Sequence, residues 1–153
     1  MDDVYFMGEA LEQARLALAV NDVPIGCVIV HENKIIGKGY NQRIFKKNAL
    51  CHAEMLAIAE ACAFIGDWRL EHTTLYVTVE PCPMCAGAIV QARIGTVVFG
   101  AANKKAGCGG SVMNILNHPG FNHRTTVVPG VMAEACGEMM RAYFSALRQK
   151  TDG

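Results

Sequence analysis

Residues 74–92 read TLYVTVEPCPMCAGAIVQA and change character part-way along. The segment from Thr74 to Glu80 is β-branched and alternating, which predicts a strand. Pro81 fits the start of the next helix, because a proline in the first turn loses no hydrogen bond there. We expect this helix to run to about Ala92. A strand that passes directly into a helix is typical of α/β folds.

The other elements alternate in the same way. The patterns predict helices from about Val4 to Val20, from Glu54 to Phe64 and from Ala133 to about Gln149, and strands over Ile25–Val30, Ile35–Tyr40, Thr96–Gly100 and, more weakly, Thr125–Val128. Residues 41–50 are expected to form a polar loop, and the first two strands a hairpin. This order predicts a mixed sheet covered by helices on both faces.

Composition limits the function classes. The 153 residues fit one domain, and 52% hydrophobic residues allow a substantial core. Lys+Arg and Asp+Glu both number 14, which excludes a strongly basic coat that binds nucleic acid without specificity. No apolar run reaches the roughly 18 residues that would span a bilayer. The acidic start lacks the pattern of a signal peptide, so we expect a cytoplasmic protein with no membrane partner.

Two segments carry residues suited to chemistry, Cys51–Glu54 and Glu80–Cys85, and each leads into a predicted helix. Cys82 and Cys85 are three residues apart, so both sulfurs point to one side of a first helical turn, where backbone N–H groups favour thiolates. His52 could add an imidazole nitrogen. Two thiolates and one imidazole suit Zn²⁺ and leave a fourth position for water.

Glu54 follows the histidine by two residues. At that spacing it is a poor zinc ligand but can approach the bound water, take its proton and pass it to a leaving nitrogen. The alternative for an isolated Cys-x-x-Cys is a redox pair or half of a structural zinc site. The His-Ala-Glu segment argues against both alternatives.

Longer stretches resemble one family. His-Ala-Glu followed by Pro-Cys-x-x-Cys is the signature of the zinc-dependent cytidine deaminase-like superfamily. The segments that resemble its bacterial tRNA-specific adenosine deaminases are Asp22–Gly26, Asn41, Trp68–Leu70, Leu75–Ala88, Arg93–Ile94, Val97–Ala101 and Phe121–Arg124. The resemblance covers nearly the whole chain. It implies a three-layer α/β/α fold with a five-stranded mixed sheet, as a single domain over residues 1–153.

The resemblance also implies a function, the hydrolytic deamination of adenosine to inosine at wobble position 34 of a tRNA anticodon, in bacteria that of an arginine tRNA. His52, Cys82 and Cys85 would hold one zinc per chain, whose hydroxide attacks C6 of adenine with Glu54 as proton shuttle. The substrate-binding residues carried over are Asn41, Ala53, Asn103, Lys105, Asn122, Phe144 and Arg148. The family's enzymes are homodimers.

The chain departs from the family in two places. Asn48-Ala49-Leu50-Cys51 replaces the usual Asp-Pro-Thr-Ala before His52, and Asn103 stands where Asp is common. A neutral Asn accepts a weaker hydrogen bond from a 2′-OH than Asp does, which predicts poorer discrimination between RNA and DNA loops. Two competing functions stay open: deamination of a free base or nucleotide such as guanine or cytosine, and a non-catalytic zinc-bound tRNA-binding subunit.

Overall fold

Helices and strands alternate along the computed structural model, which describes residues 2–152, with side chains described for residues 2–150. The elements in chain order are α1 (Asp3–Ala19), β1 (Gly26–His31), β2 (Lys34–Tyr40), α2 (Arg43–Lys46), α3 (Ala53–Ile65), β3 (Thr74–Val79), α4 (Pro83–Gln91), β4 (Thr96–Ala101), β5 (Thr126–Val128) and α5 (Ala133–Asp152). None of the described helices combines the length and the apolar character needed to cross a membrane.

The strands form a five-stranded mixed sheet in the order β2-β1-β3-β4-β5. β1 is antiparallel to both β2 and β3, whereas β3, β4 and β5 are parallel to one another. The carboxyl ends of the three parallel strands therefore meet at one edge. The start of β1 lies at the same edge, where the Gly26 N–H donates to the Thr78 hydroxyl at 3.2 Å.

Helices cover both faces of the sheet. Alternate strand residues such as Val28 and Tyr76 pack against α1 and α5, and their neighbours, such as Ile29 and Val77, pack against α3 and α4. This period-two division into two buried clusters is the pattern expected of a sheet that lies between two layers of helices. It confirms the predicted three-layer α/β/α architecture.

Glycines bring α3 unusually close to β2. A Cβ on Gly37 would collide with the carbonyl of Ala57, and one on Gly39 with the carbonyl of Ala53. The helix therefore lies against bare strand backbone, which fixes its height above the sheet. Because α3 begins at Ala53, this packing also fixes the position of the residues at its start.

The predicted helices and strands are all present, with ends that differ by up to three residues. The predicted polar loop after β2 also contains the short helix α2. This helix has only four residues, which is too short for a helical periodicity to show in the sequence. The helix after β3 begins at Pro83 instead of Pro81, because Cys82 is the N-cap residue and Pro83 occupies the first turn.

Candidate active site

Two helix N-termini meet at the carboxyl edge of the sheet. His52 is the N-cap residue of α3 and Cys82 that of α4, and neither side chain caps its own helix. Cys85 lies one turn into α4 and is fully buried. All three side chains are thus available to an ion, and the positive ends of both helix dipoles favour thiolate sulfur at this point.

The three ligand atoms have the spacing of a zinc site. The Nδ1 atom of His52 lies 3.7 Å from the sulfur of Cys82 and 3.5 Å from that of Cys85. Zn–S bonds of about 2.3 Å and Zn–N bonds of about 2.0 Å at tetrahedral angles place sulfur and nitrogen about 3.5 Å apart. The residues therefore fit a zinc ion, and no fourth His, Cys, Asp or Glu joins the group among the side chains of residues 2–150.

Hydrogen bonds among His52, Cys82 and Cys85 shift their pKa values in different directions. A hydrogen bond from Cys85, followed by one from His52, lowers the pKa of Cys82 to about 4. The same pairing with Cys82, together with burial, raises the pKa of Cys85. The hydrogen bond to Cys82 raises the pKa of His52. Zinc binding is consequently expected to release protons from Cys85 and His52.

Glu54 is a buried carboxyl group beside these ligands. Its residue is only 4% exposed, and it lines the same cavity as His52 and Cys82. Burial, followed by the negative charge of Cys82, raises the pKa of Glu54 to about 7. A carboxyl group with such a pKa can both accept and donate a proton near neutral pH, as a general acid–base catalyst must.

The cavity measures about 120 Å³. Drug-sized ligands occupy cavities of about 300–1,000 Å³, so this one suits a ligand no larger than a single nucleobase. Its lining residues are Val23, Ile25, Asn41, Arg43, His52, Glu54, Val79, Glu80, Cys82 and Asn103. The side-chain oxygen of the buried Asn41 accepts the Ala53 N–H at 2.8 Å, which leaves the Asn41 amide NH₂ as the group that can donate to a ligand.

An ion pair at the cavity was not anticipated from the sequence. Asp22 is fully buried and accepts N–H groups from Val23 at 2.7 Å and from Ile44 at 3.1 Å. It also holds the guanidinium of Arg43, whose Nη2 lies 3.1 Å away. Burial raises the pKa of Asp22, but these donors outweigh it and the net pKa is lowered. A lone Asp and a lone Arg 21 positions apart give no sequence signal for this pair.

Glu80 is another buried carboxylate, and the sequence predicts no role for it. It follows β3 directly and accepts hydrogen bonds from the segment 103–111, which includes the predicted substrate-binding residues Asn103 and Lys105. Asn103 lines the cavity, and Lys105 is exposed. Burial raises the pKa of Glu80, but the donors, led by Ser111, lower it overall.

The remaining predicted substrate residues lie in different places. Phe144 is 38% exposed and Arg148 is exposed, both on the outer half of α5. That half lines a groove with Leu18 and Asn21, close to the start of β1. Asn122 lies instead in a cavity of about 350 Å³ with Arg93 and Gly95, next to the amino ends of β4 and β5. Within one chain, Asn122 is therefore at the opposite edge of the sheet from His52.

Comparisons with known proteins agree with this chemistry. A family model described as MafB19-like deaminase matches residues 1–148. The tRNA-specific adenosine deaminase of Bacillus subtilis is 50% identical over 148 residues, which cover 97% of this chain and 92% of the relative. The chain belongs to the tRNA-specific adenosine deaminase family. The deaminase therefore is an enzyme, and its cluster of His52, Cys82 and Cys85 is a candidate zinc site in a family of known activity.

Solved structures resemble the deaminase over most of its length. One, from a study of A-to-I editing by tRNA:A34 deaminases at the wobble position, has a TM-score of 0.84 and 36% identity and covers 88% of this chain and 98% of its own. The guanine deaminase of Nitrosomonas europaea has a TM-score of 0.77 and 24% identity, over 90% of this chain and 81% of its own, and shares the fold.

Proposed function

We propose that the deaminase converts adenosine to inosine at wobble position 34 of a tRNA anticodon, with an arginine tRNA as its substrate. The observation that carries the proposal is the buried Glu54 beside His52, Cys82 and Cys85, in a cavity with room for one base. The family membership and the similarity to a tRNA:A34 deaminase support the choice of nucleotide.

The proposed mechanism assigns a role to each side chain. His52, Cys82 and Cys85 would hold zinc, which when bound supplies a water of lowered pKa at neutral pH. Glu54 accepts a proton from the attacking water and delivers it to the ring nitrogen N1 as the C6–O bond forms. It then carries the proton of the new C6 hydroxyl to the exocyclic nitrogen, so that the C6–N bond breaks and ammonia leaves. Burial raises the pKa of Glu54 above that of an ordinary carboxyl group, which suits a residue that must both accept and donate a proton.

Asn41 is the proposed reader of the base edge. Because its oxygen is engaged by the Ala53 N–H, its NH₂ group would donate to an acceptor nitrogen of the purine ring. The Ala53 amide, expected from the resemblance to lie near the base, would act by holding Asn41 in this orientation. The Asn41 side chain would thus contact the base, and the Ala53 backbone N–H would orient that side chain.

The anticodon loop would lie along the carboxyl edge of the sheet. Asn103 and Lys105 are proposed to bind the nucleotide before the target and its phosphate, and Phe144 and Arg148 to bind the following nucleotides. The exposed ring of Phe144 is suited to stacking on an unpaired base. Asn122 lies too far from His52 within one chain, so we propose that it acts from the second subunit of a homodimer.

Inosine formation tests this function directly. Purified zinc-loaded deaminase is incubated with a short anticodon hairpin that contains A34, and inosine is located by sequencing; a chelator-treated sample and Glu54→Gln serve as controls. We expect inosine at position 34 alone, and no product in either control. Absence of inosine from every tRNA hairpin tested, with one zinc bound per chain, would contradict the proposal.

Deamination of a free base is the second candidate. The small cavity and the fold shared with a guanine deaminase favour it. The same preparation is therefore incubated with guanine, cytosine and free adenosine, and ammonia release is measured. Release from a free base without hairpin deamination would establish this alternative. Binding of the hairpin without any turnover would instead indicate the non-catalytic subunit.

Asn103 is proposed to weaken the preference of the site for RNA over DNA. Its side-chain oxygen accepts the Ala106 N–H at 3.1 Å, so its NH₂ group is left to face the cavity, and an amide donor cannot accept a 2′-OH hydrogen bond. Asn103→Asp is expected to raise the ratio of RNA to DNA hairpin deamination. An unchanged ratio would refute this role.

A further inference from the structure

One carboxylate organises the segment 103–111. The Oε1 atom of Glu80 accepts the Asn103 N–H at 3.0 Å and the Ser111 hydroxyl. Its Oε2 atom accepts the N–H groups of Gly109 at 2.9 Å and of Ser111 at 3.0 Å. Both oxygens are therefore occupied by donors from this one segment, and Glu80 is only 2% exposed.

The segment 103–111 has no helix or strand of its own to hold it. Its backbone instead closes around the carboxylate: a Cβ on Gly107 would collide with the Glu80 carboxyl group. The Cys108 N–H also donates to the Pro81 carbonyl at 2.8 Å. Because backbone groups in an irregular segment need external partners, Glu80 and Pro81 determine its position.

We propose that Glu80 is a positioning residue for substrate binding: it holds the segment 103–111 so that Asn103 and Lys105 face the nucleotide that enters the cavity. Glu80 lies two residues before the proposed zinc ligand Cys82. The residue that holds the segment 103–111 and a residue of the metal site therefore belong to the same short stretch of backbone. This inference rests on the proposed function, since it concerns how the RNA is bound.

Glu80→Gln is the perturbation that the geometry singles out. A glutamine has one acceptor oxygen, and the two N–H groups at the Oε2 position can only donate, so the oxygen will stay there. The new NH₂ group then faces Asn103 and Ser111. The Ser111 hydroxyl can rotate to accept from it, but the Asn103 N–H cannot and loses its partner.

Amide hydrogen exchange can detect the lost hydrogen bond of the Asn103 N–H in the absence of RNA. We expect the amide of Asn103 to exchange roughly tenfold or more faster in Glu80→Gln, and the amides of β1 to keep their rates. Glu60→Gln is the matched control, because Glu60 is exposed on α3. Unchanged exchange at Asn103 would overturn the positioning role of Glu80, whatever the RNA results.

Double-mutant cycles then connect the segment to RNA binding. Hairpin affinity is measured in a Glu54→Gln background, with zinc content as a check. We expect Glu80→Gln to weaken binding roughly tenfold, and Lys105→Ala to have little further effect in its presence, because the lysine is already displaced. Arg148→Ala, on the separate helix α5, should add its full effect. Additivity with Lys105 would overturn the inference.

The two proposals fail in different ways. If Lys105→Ala alone leaves hairpin affinity unchanged while exchange at Asn103 rises in Glu80→Gln, the RNA contact fails and the organisation of the segment stands. Should Glu80→Gln not fold, Ser111→Ala removes one hydroxyl donor with less disturbance. It is expected to raise exchange at Asn103 and Gly109 by a smaller factor, and no change there would refute the proposal.

Discussion

Replacing Asp22 by asparagine should destabilise the deaminase because the amide cannot serve all the donors around it. The oxygen of Asn would keep the Val23 N–H and the Arg43 guanidinium at the position of Oδ1. Its NH₂ group would then face the Ile44 N–H, now 3.1 Å from Oδ2. A hydrogen bond to a buried charged group contributes about 1.5–3 kcal/mol, so we expect the free energy of unfolding to fall by about 2–3 kcal/mol.

The lowered pKa of Asp22 makes its contribution to the free energy of unfolding depend on pH. Its ionised form is favoured in the folded state, so its contribution is fully present above the pKa of the unfolded chain, about 3.9. That contribution is lost as the pH falls through the folded pKa, which lies below 3.8. Asparagine does not titrate. The stability difference between wild type and Asp22→Asn is therefore constant from pH 7 to pH 5 and shrinks below about pH 4.

Urea unfolding followed by circular dichroism, for both proteins at several pH values, measures this difference, and effects common to both cancel. Asp67→Asn is the matched control: Asp67 also pairs with an arginine, at 3.1 Å, but its side chain is 37% exposed. An exposed pair contributes about 0–1 kcal/mol. The reasoning is refuted if Asp22→Asn costs no more than Asp67→Asn, or if the difference stays constant down to pH 3.

Three further predictions concern the site. Glu54→Gln should retain one zinc per chain, measured by metal analysis, while turnover falls at least about 10²-fold, measured as inosine release; retained turnover would remove Glu54 from the mechanism. Asn41→Ala leaves the buried Ala53 N–H without an acceptor, so the free energy of unfolding measured with urea should fall by about 1–3 kcal/mol. An unchanged free energy of unfolding would contradict a stabilising role for the hydrogen bond at 2.8 Å. Gly39→Ala should lower the free energy of unfolding by about 1–3 kcal/mol or more in the same assay, because the new methyl group would collide with the backbone of α3. Gly8→Ala is the control, because Gly8 has open space around it and the substitution should not lower the free energy of unfolding appreciably.

The sequence was sufficient for the parts of the site that local patterns encode. Hydrophobic periodicity located the long helices and the strands, and the spacing of Cys82, Cys85 and His52 predicted a ligand set that the structure brings together. These residues are found because each sits at a helix start, where a few neighbours decide the geometry. The fold class followed from the alternation of elements and from the family resemblance.

The buried charges could not be found in this way. Asp22 and Glu80 each bind segments more than 20 positions away, and nothing in their own neighbourhood marks them as buried. The sequence likewise gives no position for Asn122, because that position depends on which edge of the sheet the loop before β5 occupies. Long-range packing decides these features.

The candidate zinc ligands lie far apart along the chain, since His52 and Cys85 are separated by 33 positions. In an unfolded chain, closing such a loop around an ion carries an entropic cost that only the native topology removes. In the folded chain, β1 of the β1–β2 hairpin pairs with β3, and His52 lies beside Cys82 and Cys85. We therefore expect a metal that binds this native set of ligands to stabilise the folded chain, and a chelator to lower its resistance to unfolding.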